Sequence, residues 1–413
     1  MDILPRAVAP LLAHALRALR VVVVTGPRQA GKSTFVEHHG DLAGLPYFSL
    51  DAPQTLRRAR ENPEAFVRSE PRMIIDEVQR EPDLILAIKS VVDRQRPAVR
   101  GQFVVTGSAN LLMMKRIGDS LAGRAYYLKL WPMTRREQLG LGATGIWDRF
   151  FEEDVVRWLD IVRADQAPKA SWQLCSARGG FPEVAVGEGG LSPTDRALWF
   201  DGYTTTYLER DLRDLAAVAD LGDFQRLMQA AALRIGNLLN QSELGRDIKL
   251  PAMTVHRYLN LLETSYQTVR LEPYSVNRTK RLIKTPKLYW NDPALALHLG
   301  HSRGEAEPTG AHFENLVLCD LLAWRDMHVP RVAVTYWRTA TGHEVDFVLE
   351  HRRQLLGVEV KTGPNPAMKD VRGLRAFLEE NPRSARGGIV LHGGEDSYWL
   401  DERIMAVPWW RVL

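Results

Sequence analysis

Gly26-Pro27-Arg28-Gln29-Ala30-Gly31-Lys32-Ser33 sets two glycines, a lysine and a hydroxyl in the order GxxxxGK followed by Ser, with Thr34 next. A loop of this spacing turns backbone N–H groups toward phosphate oxygens at a helix N-terminus, where the dipole favours anions. Lys32 is expected to reach the β- and γ-phosphates of ATP, and Ser33 to ligate Mg2+. About 40 residues on, the apolar Met73-Ile74-Ile75 ends in Asp76-Glu77. Asp76 is expected to hold the metal and Glu77 to polarise the water that attacks the γ-phosphate. A further apolar run, Phe103 to Thr106, leads into Gly107-Ser108-Ala109-Asn110, where Ser108 or Asn110 would sense that phosphate. Arg124 would stabilise phosphoryl charge, in cis or across a subunit interface, and the second case predicts a homo-oligomer.

Two further stretches bear on chemistry. Leu239 to Asp247 and Thr254 to Leu262 read as two helices joined by a turn containing Pro251, the spacing of a helix-turn-helix. Between residues 225 and 292 there are eleven Lys or Arg against five Asp or Glu. His256 and Arg257 on the second helix, with Arg278, Lys280, Arg281, Lys284 and Lys287 on a basic wing, form an expected DNA-gripping face. The competing reading is a winged helix that contacts protein or covers the ATPase. Nearer the end, His312 to Arg325 reads as an amphipathic helix bearing Glu314. Val332 to Arg338 and Glu344 to Glu350 read as a hairpin carrying Asp346, and Gly357 to Thr362 as a strand carrying Glu359 and Lys361. Alternation puts Glu359 and Lys361 on one face, with Val358 and Val360 on the other.

The elements that position these groups follow from patterning. Val21-Val22-Val23-Val24-Thr25 reads as a buried strand of a parallel sheet. Strands alternating with helices, such as Asp83 to Asp93, imply a three-layer α/β core. At about 150 residues per domain, 413 residues suggest two to three domains. The divisions expected are residues 1–145 for the ATPase core, 146–222 for a helical lid, 223–299 for the winged helix and 300–413 for a C-terminal α/β domain.

Composition narrows the class. Apolar residues are 45% and charged residues 25%, which excludes a largely disordered chain. Basic residues number 54 against 50 acidic, so any basic surface must be local. Two distant cysteines, Cys175 and Cys319, form no metal or disulfide pattern and fit a reducing cytoplasm. Arg6, His14, Arg17 and Arg20 interrupt the first apolar runs and argue against a signal peptide. No stretch approaches the roughly 18 apolar residues of a membrane span.

Gly26 to Ser33, Ile74-Ile75-Asp76-Glu77-Val78-Gln79, the strand end at 106–110 and Leu121-Ala122-Gly123-Arg124 together resemble a bacterial and archaeal family. So do Gly179-Gly180-Phe181-Pro182-Glu183, Tyr207 to Leu212 and Phe313-Glu314-Asn315. That family joins an AAA-type ATPase core to a long C-terminal domain of poorly defined function. The Gly-Gly-Phe-Pro segment also resembles the Gly-x-Pro element of signal-transducing ATPases. Residues 300–413 resemble the PD-(D/E)xK nuclease-like fold. The resemblance implies that Asp346 and Glu359 ligate Mg2+, that Lys361 positions the attacking water and that Glu314 completes the site, although Val345 stands where the motif has Pro. The resulting expectation is an ATPase that binds and processes or remodels DNA. The alternative is an ATP-loaded switch that binds a protein partner and has an inactive C-terminal domain. A metabolic kinase would leave the winged helix unexplained. Trp409-Trp410 reads as core in a terminal strand, and Arg178 or Arg210 as a possible reporter on nucleotide.

Overall fold

The strand β1 (Val21–Thr25) is buried along its whole length. It lies inside a five-stranded parallel sheet with β2 (Tyr47–Ser49), β3 (Met73–Asp76), β4 (Phe103–Thr106) and β5 (Ala125–Lys129), in the order 2-3-4-1-5. The computed structural model describes residues 3–94, 98–107, 121–186, 191–207, 220–275, 285–300 and 307–413. Strand alternation sends Val21 and Val23 toward Ile85 and Ile88 on one face, and Val22 and Val24 toward Leu12 and Val36 on the other. That is the three-layer arrangement read from the sequence. Every strand of a parallel sheet ends on the same side, so the carboxyl ends of β1, β3 and β4 lie along one edge. Gly26 opens the first of these loops at φ 145°, and a Cβ there would fall 2.0 Å from the carbonyl oxygen of Leu130. Only glycine fits.

Helices dominate the middle of the chain, from Trp147–Glu152 to Pro193–Thr206 and on to Leu221–Ala232. Helix Gln241–Asp247 starts at Asn240, whose side chain accepts from the Glu243 amide at 3.1 Å. After a turn through Pro251 comes helix Ala252–Thr264, then an antiparallel pair, β6 (Thr268–Leu271) and β7 (Lys287–Trp290).

The C-terminal part runs helix Gly310–Met327, β8 (Ala333–Arg338), β9 (Glu344–His351), β10 (Gln354–Lys361), helix Arg372–Glu380, β11 (Ala385–His392), β12 (Tyr398–Asp401) and β13 (Ile404–Pro408). Its six-stranded mixed sheet has the order 12-13-11-10-9-8. Strands β8, β9 and β10 are antiparallel neighbours, while β10, β11 and β13 run parallel. Val358 and Val360 face the core under helix Gly310–Met327, and Leu355 packs with Leu374 and Phe377 on the other side. The pair Trp409-Trp410 is core, as expected, but lies in a short helix, Trp409–Val412, rather than a strand. Pro408 supplies no N–H to extend the ladder beyond β13, and the chain turns there.

One apolar core joins the helical middle to this sheet, including Phe150, Phe200, Leu227, Leu259, Leu318 and Val358. Polar clasps reinforce it. Arg135 donates to the carbonyls of Trp410 and Leu413, both at 2.9 Å, and Arg136 donates to Asp165 at 2.8 Å. Among the described residues no helix is long and apolar enough to cross a membrane.

Candidate functional site

The phosphate loop, Gly26 to Gly31, leaves β1 and enters helix Lys32–His38. Lys32 is buried, and its ammonium donates to the carbonyls of Gly26 at 3.2 Å and Pro27 at 2.8 Å, so it lies folded over the loop. The Ser33 hydroxyl donates to both oxygens of Asp76, at 2.9 and 3.1 Å. Two residues 43 positions apart therefore meet where the sequence places a metal. A hydroxyl and a carboxylate are oxygen donors of the kind Mg2+ takes, so the pair fits that ion.

Asp76 is held from two other directions. Tyr47 donates to it at 2.9 Å from β2, and Thr106 donates to it from the end of β4. Neither partner was read from the sequence as functional, because each contacts the site only through the lateral pairing of strands. Burial, then the Asp76 charge, raises the Tyr47 phenol well above its ordinary value, which keeps it a donor. Glu77 follows in the left-handed conformation, φ 57° and ψ 43°, with its amide on the Thr106 hydroxyl at 3.2 Å. A non-glycine residue held there stores strain of a kind that clusters at working sites. Burial raises the Glu77 carboxyl, and Asp76 adds to this while Lys32 opposes it. A carboxylate tuned upward is a better base near neutral pH.

The remaining loop residues are Arg28, half-buried, Gln29, exposed at φ 62°, and Ala30, buried; Thr34 is exposed on the helix. Arg6 was read only as an interruption of an apolar run. It is buried and donates to the Ala30 carbonyl at 2.9 Å and the Trp131 carbonyl at 2.6 Å, while pairing with Glu137 at 3.1 Å. The Gly179–Pro182 segment backs the same loop, with Pro182 against Gly31. Its Gly180 carbonyl accepts from Met133 at 2.6 Å, and its Gly180 amide donates to buried Asp292 at 2.6 Å. Arg178 donates to Gln138 at 2.8 Å.

Arg124 is not brought to this edge. It precedes β5, its carbonyl accepts from the Val21 amide at 3.3 Å, and its guanidinium pairs with Asp93 at 2.5 Å. That is the opposite end of the sheet from the phosphate loop, roughly 15 Å of strand away at about 3.3 Å per residue. A role in cis is corrected by this geometry, since a parallel sheet keeps strand starts away from strand ends. Ser108, Asn110, Arg210, Arg278, Lys280, Arg281 and Lys284 lie outside the described residues.

On helix Ala252–Thr264, His256 and Arg257 are exposed, as a contact surface requires. Lys287 is not. It is buried on β7, pairs with Glu344 and lies 3.9 Å from Asp346. Its charge is consumed by carboxylates, which corrects its place on a DNA-gripping face.

Those carboxylates belong to the second constellation. Asp346 on β9 accepts from the Val360 amide at 2.9 Å. Lys361 donates to Glu359 at 2.7 Å, as the shared face predicts. Glu314, in the first turns of helix Gly310–Met327, accepts from Tyr289 at 2.9 Å. Burial, then the Asp346 charge, pushes the Glu314 carboxyl up to about 8. Burial likewise raises Asp346 against the pull of Lys287, and raises Glu359 well above the carboxylate range. Burial works against the Lys361 ammonium, but Glu359 and Asp346 more than offset it and raise its pKa. One oxygen of Glu359 is buried without a hydrogen-bond partner. Lys287, which the sequence places on the basic wing, and Tyr289, which it does not single out, both arrive from the neighbouring hairpin. The three carboxylates interact through their charges but do not gather within 4.8 Å; among the described residues the one group that does is Asp148, His328 and His351.

Contacts also run from the ATPase core to the helix that carries Glu314. The Thr25 hydroxyl lies 3.2 Å from that of Tyr266, just before β6. Lys129 sits over the rings of Trp131 and Tyr266, at 5.0 and 4.9 Å. Trp131 donates to Asp326 at 2.8 Å, on the helix that carries Glu314.

Residues 19–139 match an AAA domain, while residues 170–306 and 309–412 match two domains of unknown function. Among solved structures, a Walker-type ATPase of Pyrococcus abyssi is 14% identical, covering 72% of this chain and 99% of that one, with a TM-score of 0.41. A RuvB variant of Thermotoga maritima is 16% identical, covering 64% and 88%, with a TM-score of 0.29. An uncharacterized protein of Haemophilus influenzae is 22% identical over 82% of each chain. An uncharacterized protein of Mycobacterium tuberculosis is 30% identical over 98% of this chain and 83% of its own length. The chain belongs with that mycobacterial protein to one family, built on a P-loop ATPase core of the AAA type.

Proposed function

We propose that the protein hydrolyses ATP with Mg2+ and uses it to control a DNA-acting C-terminal site. The carrying observation is the edge where Ser33, Asp76, Thr106 and Glu77 meet beneath the phosphate loop. Lys32 and the loop amides bind phosphate, Ser33 and Asp76 hold Mg2+, and Glu77 takes the proton of the attacking water. A Mg2+ held by Ser33 and Asp76 would supply positive charge to offset that of the phosphates. Arg124, being remote from its own loop, serves a neighbouring subunit in a homo-oligomer.

The helix-strand order of residues 310–392 supports the nuclease-like reading, as do the charge interactions among Asp346, Glu359 and Glu314 and the Lys361–Glu359 pair. Asp346 and Glu359 hold Mg2+ there, a role that the unpartnered Glu359 oxygen fits. His256 and Arg257, with the basic stretch Arg278 to Lys284, supply phosphate contacts. A second reading rests on Lys287. Its ammonium already neutralises the carboxylates, which suits an inactive domain in a protein-binding switch.

The test is ATP turnover with and without duplex, single-stranded and branched DNA in Mg2+, with strand cleavage followed in parallel. Cleavage by wild type that is lost in Asp346→Ala supports the nuclease under ATP control. DNA-stimulated turnover without cleavage leaves a remodelling ATPase. Turnover indifferent to every DNA supports the switch, and wild-type turnover in Lys32→Ala would overturn the ATPase assignment.

A further inference from the structure

Asp148, His328 and His351 come from three separate elements. Asp148 lies in the first turn of helix Trp147–Glu152, His328 directly follows helix Gly310–Met327, and His351 ends β9. One ligand atom from each lies within 4.8 Å of the other two. None of the three belongs to the phosphate edge or to the carboxylate cluster.

The partners of these residues fix which atoms are on offer. His328 Nδ1 lies 2.8 Å from the Trp324 carbonyl, which can only accept, so Nδ1 carries a proton. In the neutral ring Nε2 is then a lone pair, and it faces Asp148 Oδ1 at 3.0 Å. Two electron-rich atoms at that distance require a positive species between them, either a second ring proton that pairs His328 with Asp148 or a metal ion. The indole N–H of Trp324 donates to the same carboxylate oxygen at 3.0 Å and steers it. A histidine anchored through its other nitrogen and a carboxylate anchored by a donor are the outer-shell supports that metal ligands carry. Aromatic walls complete the setting, with Phe151 stacked on Trp324 at 6.0 Å between ring centres and set edge-to-face with His351 at 5.5 Å between centres.

We propose that Asp148, His328 and His351 bind a Zn2+ ion that clips the helix after the ATPase core to the C-terminal sheet. Two imidazoles and one carboxylate favour a late first-row metal over Mg2+. Tetrahedral bonds of about 2.0–2.1 Å need small side-chain rotations from the present spacing. The same helix is already anchored beside the site, because Trp147 donates to Asp320 at 2.6 Å. Zinc would therefore lock a joint that the fold has formed, rather than create one.

The test uses the untagged full-length chain, stripped with chelator and titrated with Co2+ and then Zn2+. The expected result is one equivalent of Co2+ with intense visible bands of low-coordinate cobalt, displaced by Zn2+, and a higher melting temperature with Zn2+. His328→Ala and His351→Gln should each weaken Zn2+ binding at least about tenfold while their far-ultraviolet circular dichroism stays native. Asp346→Asn, in the separate carboxylate cluster, should leave the cobalt bands unchanged. Absence of a stoichiometric low-coordinate spectrum would overturn the site, as would an unaltered spectrum in folded His328→Ala and His351→Gln.

Discussion

The phosphate edge and the C-terminal carboxylate cluster use similar groups, carboxylates with a lysine, but differ in how they are assembled. At the phosphate edge most of the work is done by backbone within one short loop, and buried Asp76 is held by the hydroxyls of Ser33, Tyr47 and Thr106. Glu77 is half-buried. In the C-terminal cluster the three carboxylates are side chains from three different elements, and burial has driven all three carboxyls upward. A site made of backbone amides tolerates the absence of its ligand cheaply. One made of buried carboxylates must protonate, pair with Lys287, or take up a cation.

Four experiments bear on that contrast, the largest effect first. Lys32→Ala should lower ATP turnover by about 100-fold or more and leave the carboxylate cluster intact, read by steady-state hydrolysis. Glu77→Gln should retain nucleotide binding and lower turnover by about 10²–10⁴-fold, read by single-turnover kinetics beside equilibrium binding. Equal losses of binding and turnover would remove Glu77 from the chemical step.

The third concerns pH. Glu314 titrates at about 8 in the fold against 4.5 for the free side chain. The folded state therefore holds a proton that the unfolded state has lost, and stability falls as pH rises from 4.5 to about 8. Glu314→Gln should flatten that fall, measured as melting temperature between pH 5 and 8. Mg2+ should stabilise wild type more at the upper end than the lower, since carboxylates must lose protons to ligate. The smallest effect is expected at Arg124→Ala. Its exposed pair with Asp93 contributes little to stability, so the melting temperature should not move. Any loss of turnover should appear only in the oligomeric fraction from size-exclusion chromatography.

What the sequence makes legible follows the same divide. The phosphate loop is contiguous, so eight residues in a row disclose it, and Asp76 and Glu77 follow because they end an apolar run. Tyr47 and Thr106 escape because β2 is a three-residue strand, and its neighbours are set by lateral pairing rather than by spacing. Glu359 and Lys361 are legible through strand alternation. Lys287 is not, because a lysine in a basic run looks exposed until the carboxylates around it are placed. The Trp409-Trp410 pair shows the limit of composition, since aromatic residues at a strand end reveal burial but not the turn that Pro408 imposes. His328 and His351 carry no motif at all; they meet only because a helix end and a strand end are packed together.

Arg135 and Arg136 give the chain a schedule. The carbonyls that Arg135 grips at Trp410 and Leu413 lie 275 and 278 residues downstream. At a synthesis rate of about 5–20 residues per second, they leave the ribosome roughly 15–55 seconds after Arg135 does. The parallel sheet can collapse during that interval, but the buried guanidinium behind it must wait, hydrated, for its partners. Newborn copies of the ATPase core therefore pass through an unfinished stage in which their rear face stays open to water and to chaperones.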